Sequence, residues 1–134
     1  MIAPAARILI VDNAQDIRKA LQAVLERKGY HVDAAATCRQ AVEFMSRSTQ
    51  TPYRAAIIDI RLPDGMGTDV LKTVKQLTPE TTCFMVTTNP NQDTQRLSQD
   101  AGAHGYVVKP FAIEQLLALM QRSPSHGLPQ TTSD

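Results

Sequence analysis

Short apolar runs alternate along this chain with apolar residues at helical spacing. Residues 7–11, Arg-Ile-Leu-Ile-Val, are too continuous for a half-exposed strand and too short for a helix, the pattern of a strand buried on both faces. From Ala14 the period lengthens: Ile17, Ala20, Leu21, Val24 and Leu25 predict a helix that stops at Gly29. Residues 30–35 predict a weaker strand. Thr37, with Gln40 three positions on, predicts a capping box for a helix whose apolar face is Cys38, Ala41, Val42 and Met45. Residues 46–52 read as a loop. The run Ala55-Ala56-Ile57-Ile58 predicts a third strand ending at Asp59, and the loop through Pro63 and Gly65 turns the chain away. A helix from about Gly67 to Leu77 would face Val70, Val74 and Leu77 inward. Residues 81–86 predict a fourth strand ending at Thr87-Thr88-Asn89. Pro90 suits the first turn of the next helix, with Asn89 as its cap. That helix, roughly 91–101, carries little apolar surface beyond Leu97 and Ala101. Residues 105–108 predict the fifth strand, ending at Lys109-Pro110, and Ile113, Leu116, Leu117 and Met120 predict the last helix.

Strand then helix, five times over, predicts an α/β fold: a doubly wound parallel sheet of five strands with helices on both faces. The expected organisation is a leader at 1–6, one domain at 7–121 and a flexible Ser-, Pro- and Thr-rich tail at 122–134. A chain of 134 residues, 43% hydrophobic and 20% charged, can build one core of ordinary size. Fourteen basic against 13 acidic side chains argue against nucleic acid as the main partner. No apolar run approaches a membrane span, and the first residues lack the pattern of a signal peptide. Cys38 and Cys83 do not form a CxxC pair, which argues against a metal cluster and for a reducing cytoplasm. His31, His104 and His126 show no ligand spacing.

A parallel sheet puts all its strand C-termini on one edge, where ligands gather in open α/β folds. That edge receives Asp12 and Asn13, Asp59, Thr87 and Lys109. Two neighbouring carboxylates need a cation. Lys109 supplies one charge, and a hard divalent ion such as Mg²⁺ could add more through oxygen ligands. The set suits a phosphoryl group, with Thr87 donating a hydrogen bond and Asp59 as nucleophile for in-line transfer. Plainer readings compete: a turn capped by Asp59, a helix start marked by Asp12-Asn13, a solvated Lys109, and a Thr87 present because threonine suits strands. Tyr106 reads first as a packed strand aromatic, and Cys83 and Met85 as core.

Four segments in order resemble the receiver domain of bacterial two-component response regulators, the CheY-like type. They are Ile8-Leu9-Ile10-Val11-Asp12, Ile58-Asp59-Ile60-Arg61-Leu62-Pro63, Val86-Thr87 and the stretch from Ala101 through Tyr106 and Lys109-Pro110 to Phe111. The resemblance implies strand order 2-1-3-4-5 and a phosphoryl group accepted by Asp59 from a sensor histidine kinase or a phosphotransfer protein. It implies a Mg²⁺ site from Asp12, Asn13, Asp59 and the backbone carbonyl of Arg61, and a cis bond before Pro110. Thr87 and Tyr106 would move together and reshape the surface of the fourth helix, fifth strand and fifth helix. A downstream protein or an effector domain beyond this chain would read that surface, and a phosphorylation-dependent dimer is one form the reading can take. Such a domain is a phosphoacceptor, not an enzyme in the usual sense.

The chain departs from the family at three positions. Asn13 stands where a second acidic residue usually ligates the metal, so Mg²⁺ is expected to bind more weakly. Met66 replaces an acidic residue in the turn, with a small expected effect there and none on the chemistry. Thr88 is bulkier than the usual Ala or Gly and is expected to slow access to the site. The competing function is a pseudo-receiver, crippled at its metal site and acting through phosphorylation-independent protein contacts. A dehalogenase-type phosphatase would need a carboxylate two residues after Asp59, where Arg61 stands.

Overall fold

The computed structural model describes residues 6–47, 52–111 and 113–122. The leader before residue 6 and the expected tail past Arg122 fall outside them. Five strands, β1 (Arg7–Val11), β2 (His31–Ala35), β3 (Ala55–Asp59), β4 (Thr82–Thr87) and β5 (Gly105–Val108), form one sheet. Five helices follow them in turn: α1 (Gln15–Arg27), α2 (Cys38–Arg47), α3 (Gly67–Leu77), α4 (Gln92–Asp100) and α5 (Ile113–Arg122). The sheet order is β2-β1-β3-β4-β5 and every pairing is parallel. The fold class and the strand order both agree with the expectation.

Side-chain alternation along each strand divides the core in two. Leu9, Val11, Ile58, Cys83 and Met85 pack with Ala41 and Met45 of α2 and Val70, Leu71 and Val74 of α3. Ile8, Ile10, Ile57, Phe84 and Val86 pack with Leu21 and Leu25 of α1 and Leu116, Leu117 and Met120 of α5. Gly29, at φ 98°, ends α1 as expected. The N–H groups of Gly29 and Tyr30 close back on the carbonyls of Glu26 and Leu25, and only glycine takes that left-handed turn without cost.

Several expected details are corrected. Leu77 is 58% exposed rather than inward, because it is the last residue of α3 and the chain leaves the layer there. Val42 is 41% exposed: it lies one helical step, about 100°, from Ala41 and so off the buried stripe. Ala20 is exposed for the same reason, one step from Leu21. Leu97 is 47% exposed; α4 turns the hydroxyls of Thr94 and Ser98 inward instead. The cap of α4 is Asn91, whose side chain accepts the Thr94 N–H at 2.8 Å, not Asn89. α2 runs to Arg47, into the expected loop. The turn after β3 holds a small antiparallel hairpin that the apolar pattern does not announce, Arg61–Leu62 against Gly65–Met66. Met66 is the N-cap of α3 and offers no side-chain cap, so the departure at this position bears on a helix end.

Between β1, β2 and the segment before β3, Arg7 and Asp33 form an ion pair, the Tyr53 hydroxyl donates to Asp33 Oδ2 at 2.6 Å, and the Arg7 guanidinium lies 5.3 Å from the Tyr53 ring centroid. Tyr53→Phe removes one hydrogen bond to a charged acceptor and is expected to cost about 1.5–3 kcal/mol. An unchanged urea midpoint would show that water replaces the hydroxyl.

Candidate functional site

β1, β3 and the turn after β5 deliver three charged groups to one point at the C-terminal edge of the sheet. Asp12 continues the β1–β2 ladder, its N–H bonded to the Ala35 carbonyl at 2.9 Å. It is 2% exposed, and its Oδ1 accepts the Ala14 N–H at 2.8 Å. That turn fixes the carboxylate and leaves Oδ2 aimed at Lys109 Nζ, 2.8 Å away. Asp59 ends β3, register-paired with Val86, and its Oδ2 lies 3.1 Å from the same ammonium. The Lys109 N–H bonds the Thr87 carbonyl at 2.7 Å, which ties the lysine to the end of β4. The Lys109–Pro110 bond is cis, as the resemblance implied.

Two carboxylates around one ammonium leave the cluster one negative charge in excess. Each carboxylate faces one cation and one anion, whereas the lysine faces two anions. Burial, then the charge of Asp12, push the Asp59 carboxyl above its ordinary value, and Lys109 only partly opposes them. The Arg61 backbone also opposes the rise, less strongly than Lys109. Burial alone would lower the Lys109 pKa, but its hydrogen bond and charge interactions with Asp12, together with Asp59, outweigh burial and raise it.

The cluster therefore fits a further hard cation: it has excess negative charge and oxygen donors only. No group of three or more His, Cys, Asp or Glu gathers among the described residues, so the protein would give two carboxylates and neutral oxygens. That donor set suits Mg²⁺, which keeps several waters. Asn13 is exposed next to Asp12, and Arg18 Nη1 donates to the backbone carbonyls of Asp12 at 2.7 Å and Asn13 at 3.3 Å, bracing the loop.

Thr87 is buried at the end of β4, and its hydroxyl accepts the Asn89 N–H at 3.0 Å. Tyr106 is half-buried; its hydroxyl meets Thr94 Oγ1 at 2.7 Å and accepts the Asn91 N–H at 3.4 Å. Tyr106 thus couples β5 to the first turn of α4, a link invisible in the sequence because Thr94 shows no apolar signal. Sequence reasoning also passed over Asp64, whose carboxylate reaches the start of α2. A groove of ≈ 270 Å³ runs beside the site between α1 and the Lys109-Pro110-Phe111 turn. Among the described residues no helix is long and apolar enough to cross a membrane.

The family model for the response regulator receiver domain matches residues 8–121. The transcriptional regulatory protein DltR of Streptococcus agalactiae is 34% identical over 112 residues, 84% of this chain and 49% of that protein. A CheY-like receiver domain protein from Methanospirillum hungatei superposes with a TM-score of 0.79 at 34% identity, covering 88% of this chain and 92% of that one. The beryllofluoride-activated NtrC4 receiver domain dimer superposes at 0.76 with 29% identity, covering 87% and 93%. The chain spans between a quarter and a half of the length of the first curated regulators it matches.

Proposed function

Because the chain belongs to the response regulator receiver domain family of two-component systems, we propose that residues 7–121 accept a phosphoryl group on Asp59 from a phosphohistidine of a sensor kinase or phosphotransfer protein. The observation that carries this reading is the single ammonium of Lys109 bridging Asp12 and Asp59 at the strand ends. An Asp59 oxygen attacks phosphorus, the P–N bond breaks in line, and the imidazole leaves with the electron pair and takes up a proton. Lys109 is already placed to hold a phosphoryl oxygen. Thr87 offers a hydroxyl at the neighbouring strand end, where its Asn89 contact can be exchanged for one to the new anion. Asp12, Asp59, the Arg61 carbonyl and Asn13 would hold Mg²⁺, which supplies charge neutralisation at the phosphoryl oxygens when bound.

A doubly charged phosphoryl group would pull Thr87 toward it and loosen the Tyr106–Thr94 contact, biasing α4, β5 and α5 toward a second arrangement. α4 suits such a shift, since its inward side chains include hydroxyls rather than a full apolar stripe. That surface is our candidate for the downstream partner, an effector segment or a second copy. The NtrC4 relative bears on the last of these, having been solved as an activated dimer.

The test is incubation with acetyl phosphate, with Mg²⁺ or with EDTA, read by intact mass. One added phosphoryl only with Mg²⁺ is expected. The pseudo-receiver reading, favoured by the neutral Asn13, expects no addition in either arm. Asn13→Asp supplies the missing carboxylate and is expected to tighten Mg²⁺ on the order of tenfold, with faster phosphorylation. Unchanged affinity in a titration would remove Asn13 from the metal site.

A further inference from the structure

The loop that follows the phosphoacceptor is bolted to a helix distant in sequence. The first amides of a helix lack partners within it. In α2 the N–H groups of Cys38 and Arg39 both donate to the Asp64 carboxylate, at 2.8 and 3.0 Å, from the tip of the Arg61–Leu62/Gly65–Met66 hairpin. The next amide, of Gln40, bonds Thr37 Oγ1 at 3.0 Å, and the Gln40 side chain accepts the Ala36 N–H at 2.7 Å. The capping box read from the sequence thus covers only part of the helix end, and a residue 25 and 26 positions away supplies the rest. The helix dipole favours an anion at that point. In agreement, the bond from the Cys38 N–H leads the causes that hold the Asp64 carboxyl below its ordinary value. A third contact closes the joint: Cys38 Sγ lies 3.8 Å from the Met66 carbonyl.

The same hairpin carries Arg61, two residues after Asp59, and pairs it with Met66. Gly67 then closes the loop onto the Ile60 carbonyl at 2.6 Å, and the Ile60 N–H bonds Val86 at 2.9 Å. The geometry points to Asp64 as a positioning residue: by docking the hairpin on the α2 N-terminus it sets where the Arg61 backbone stands relative to Asp59. This inference rests on the reading of the site given above. Asp64 touches neither reacting atom nor metal.

Two variants separate positioning from simple helix stability. Asp64→Ala removes the hairpin's anchor and two cap bonds. Thr37→Ala removes the remaining cap bond of the same helix and leaves the hairpin untouched. Asp64→Ala is expected to weaken Mg²⁺ binding about tenfold, the low end for a group acting through a ligand's support. It should also speed hydrogen exchange at the Gly67 amide in metal-free protein. Thr37→Ala should lower the melting temperature and move neither readout, and Asp64→Asn, which keeps one acceptor oxygen, should fall between. Unchanged Gly67 exchange in Asp64→Ala, or an equal change in Thr37→Ala, overturns the inference. Wild-type protein that binds no Mg²⁺ overturns the site reading instead, and the exchange measurement then judges Asp64 alone.

Discussion

Asp59→Asn is expected to abolish phosphoryl uptake and, in the metal-free protein, to raise stability at neutral pH. The first effect follows from losing the nucleophile, since an amide oxygen does not replace a carboxylate in in-line transfer. The second follows from the charge excess. Asp59 is held by Lys109 but opposed by burial and by Asp12, and the balance raises its folded pKa. A carboxyl with a raised folded pKa contributes stability that is fully present below its unfolded value. That contribution is lost as pH rises through the folded value. At neutral pH the wild type carries the ionised group's full cost, and the amide does not. The gain should be read as a higher urea midpoint at neutral pH. It should shrink toward zero as pH falls to about 4, the ordinary carboxylate value. The Lys109–Asp12 pair at 2.8 Å survives the substitution, so the lysine stays paired. Urea unfolding of both proteins at the two pH values decides the matter. A variant less stable than wild type at neutral pH would mean that the pull of Lys109 exceeds the cost of burial and the repulsion of Asp12.

Gly67→Ala should be the most damaging added methyl among the described glycines. Gly67 is the first residue of α3, and its N–H reaches the Ile60 carbonyl at 2.6 Å. A Cβ there would overlap the Asp59 carbonyl oxygen and lie 2.9 Å from both the Asp59 carbonyl carbon and Ile58 Cγ2. The obstacles are mostly backbone, so no side-chain rotation relieves them. Either the end of β3 or the start of α3 must move, and Asp59 moves with the first. Overpacking usually costs 1–3 kcal/mol, and a clash with a buried strand should reach about 3 or more. The phosphorylation rate should fall together with the urea midpoint. A variant of wild-type stability and rate would show that α3 can slide outward at little cost.

The sheet was legible because its strands are continuous apolar runs ended by polar residues. The same feature puts Asp12, Asp59 and Lys109 at one edge from the sequence alone. What the sequence hides is partnership at a distance. Asp64 looks like a turn residue, and nothing at positions 38 and 39 says that their amides need a carboxylate from another loop. The close approach that forbids a side chain at Gly67 is equally silent, because a glycine after a turn reads as local punctuation. Helix faces were read well at their centres and poorly at their margins. Leu77 obeys the periodicity and still meets solvent, since periodicity gives a direction and not the extent of the layer beneath, and Val42 sits at the edge of the stripe. In α4 the hydroxyls of Thr94 and Ser98 take the inward positions, bonded to Tyr106 and to backbone carbonyls, where an apolar scan finds nothing.

The central claim is that Asp12, Asp59 and Lys109 form one phosphoryl-accepting centre with Asp59 as the acceptor. Borohydride reduces an acyl phosphate to the alcohol, so phosphorylation with acetyl phosphate and Mg²⁺ followed by reduction and peptide mapping identifies the acceptor directly. The account predicts reduction of the side chain at position 59 and at no other carboxylate, and its loss when Mg²⁺ is chelated. Reduction at Asp12 or at any carboxylate outside this cluster, with Asp59 untouched, would contradict it.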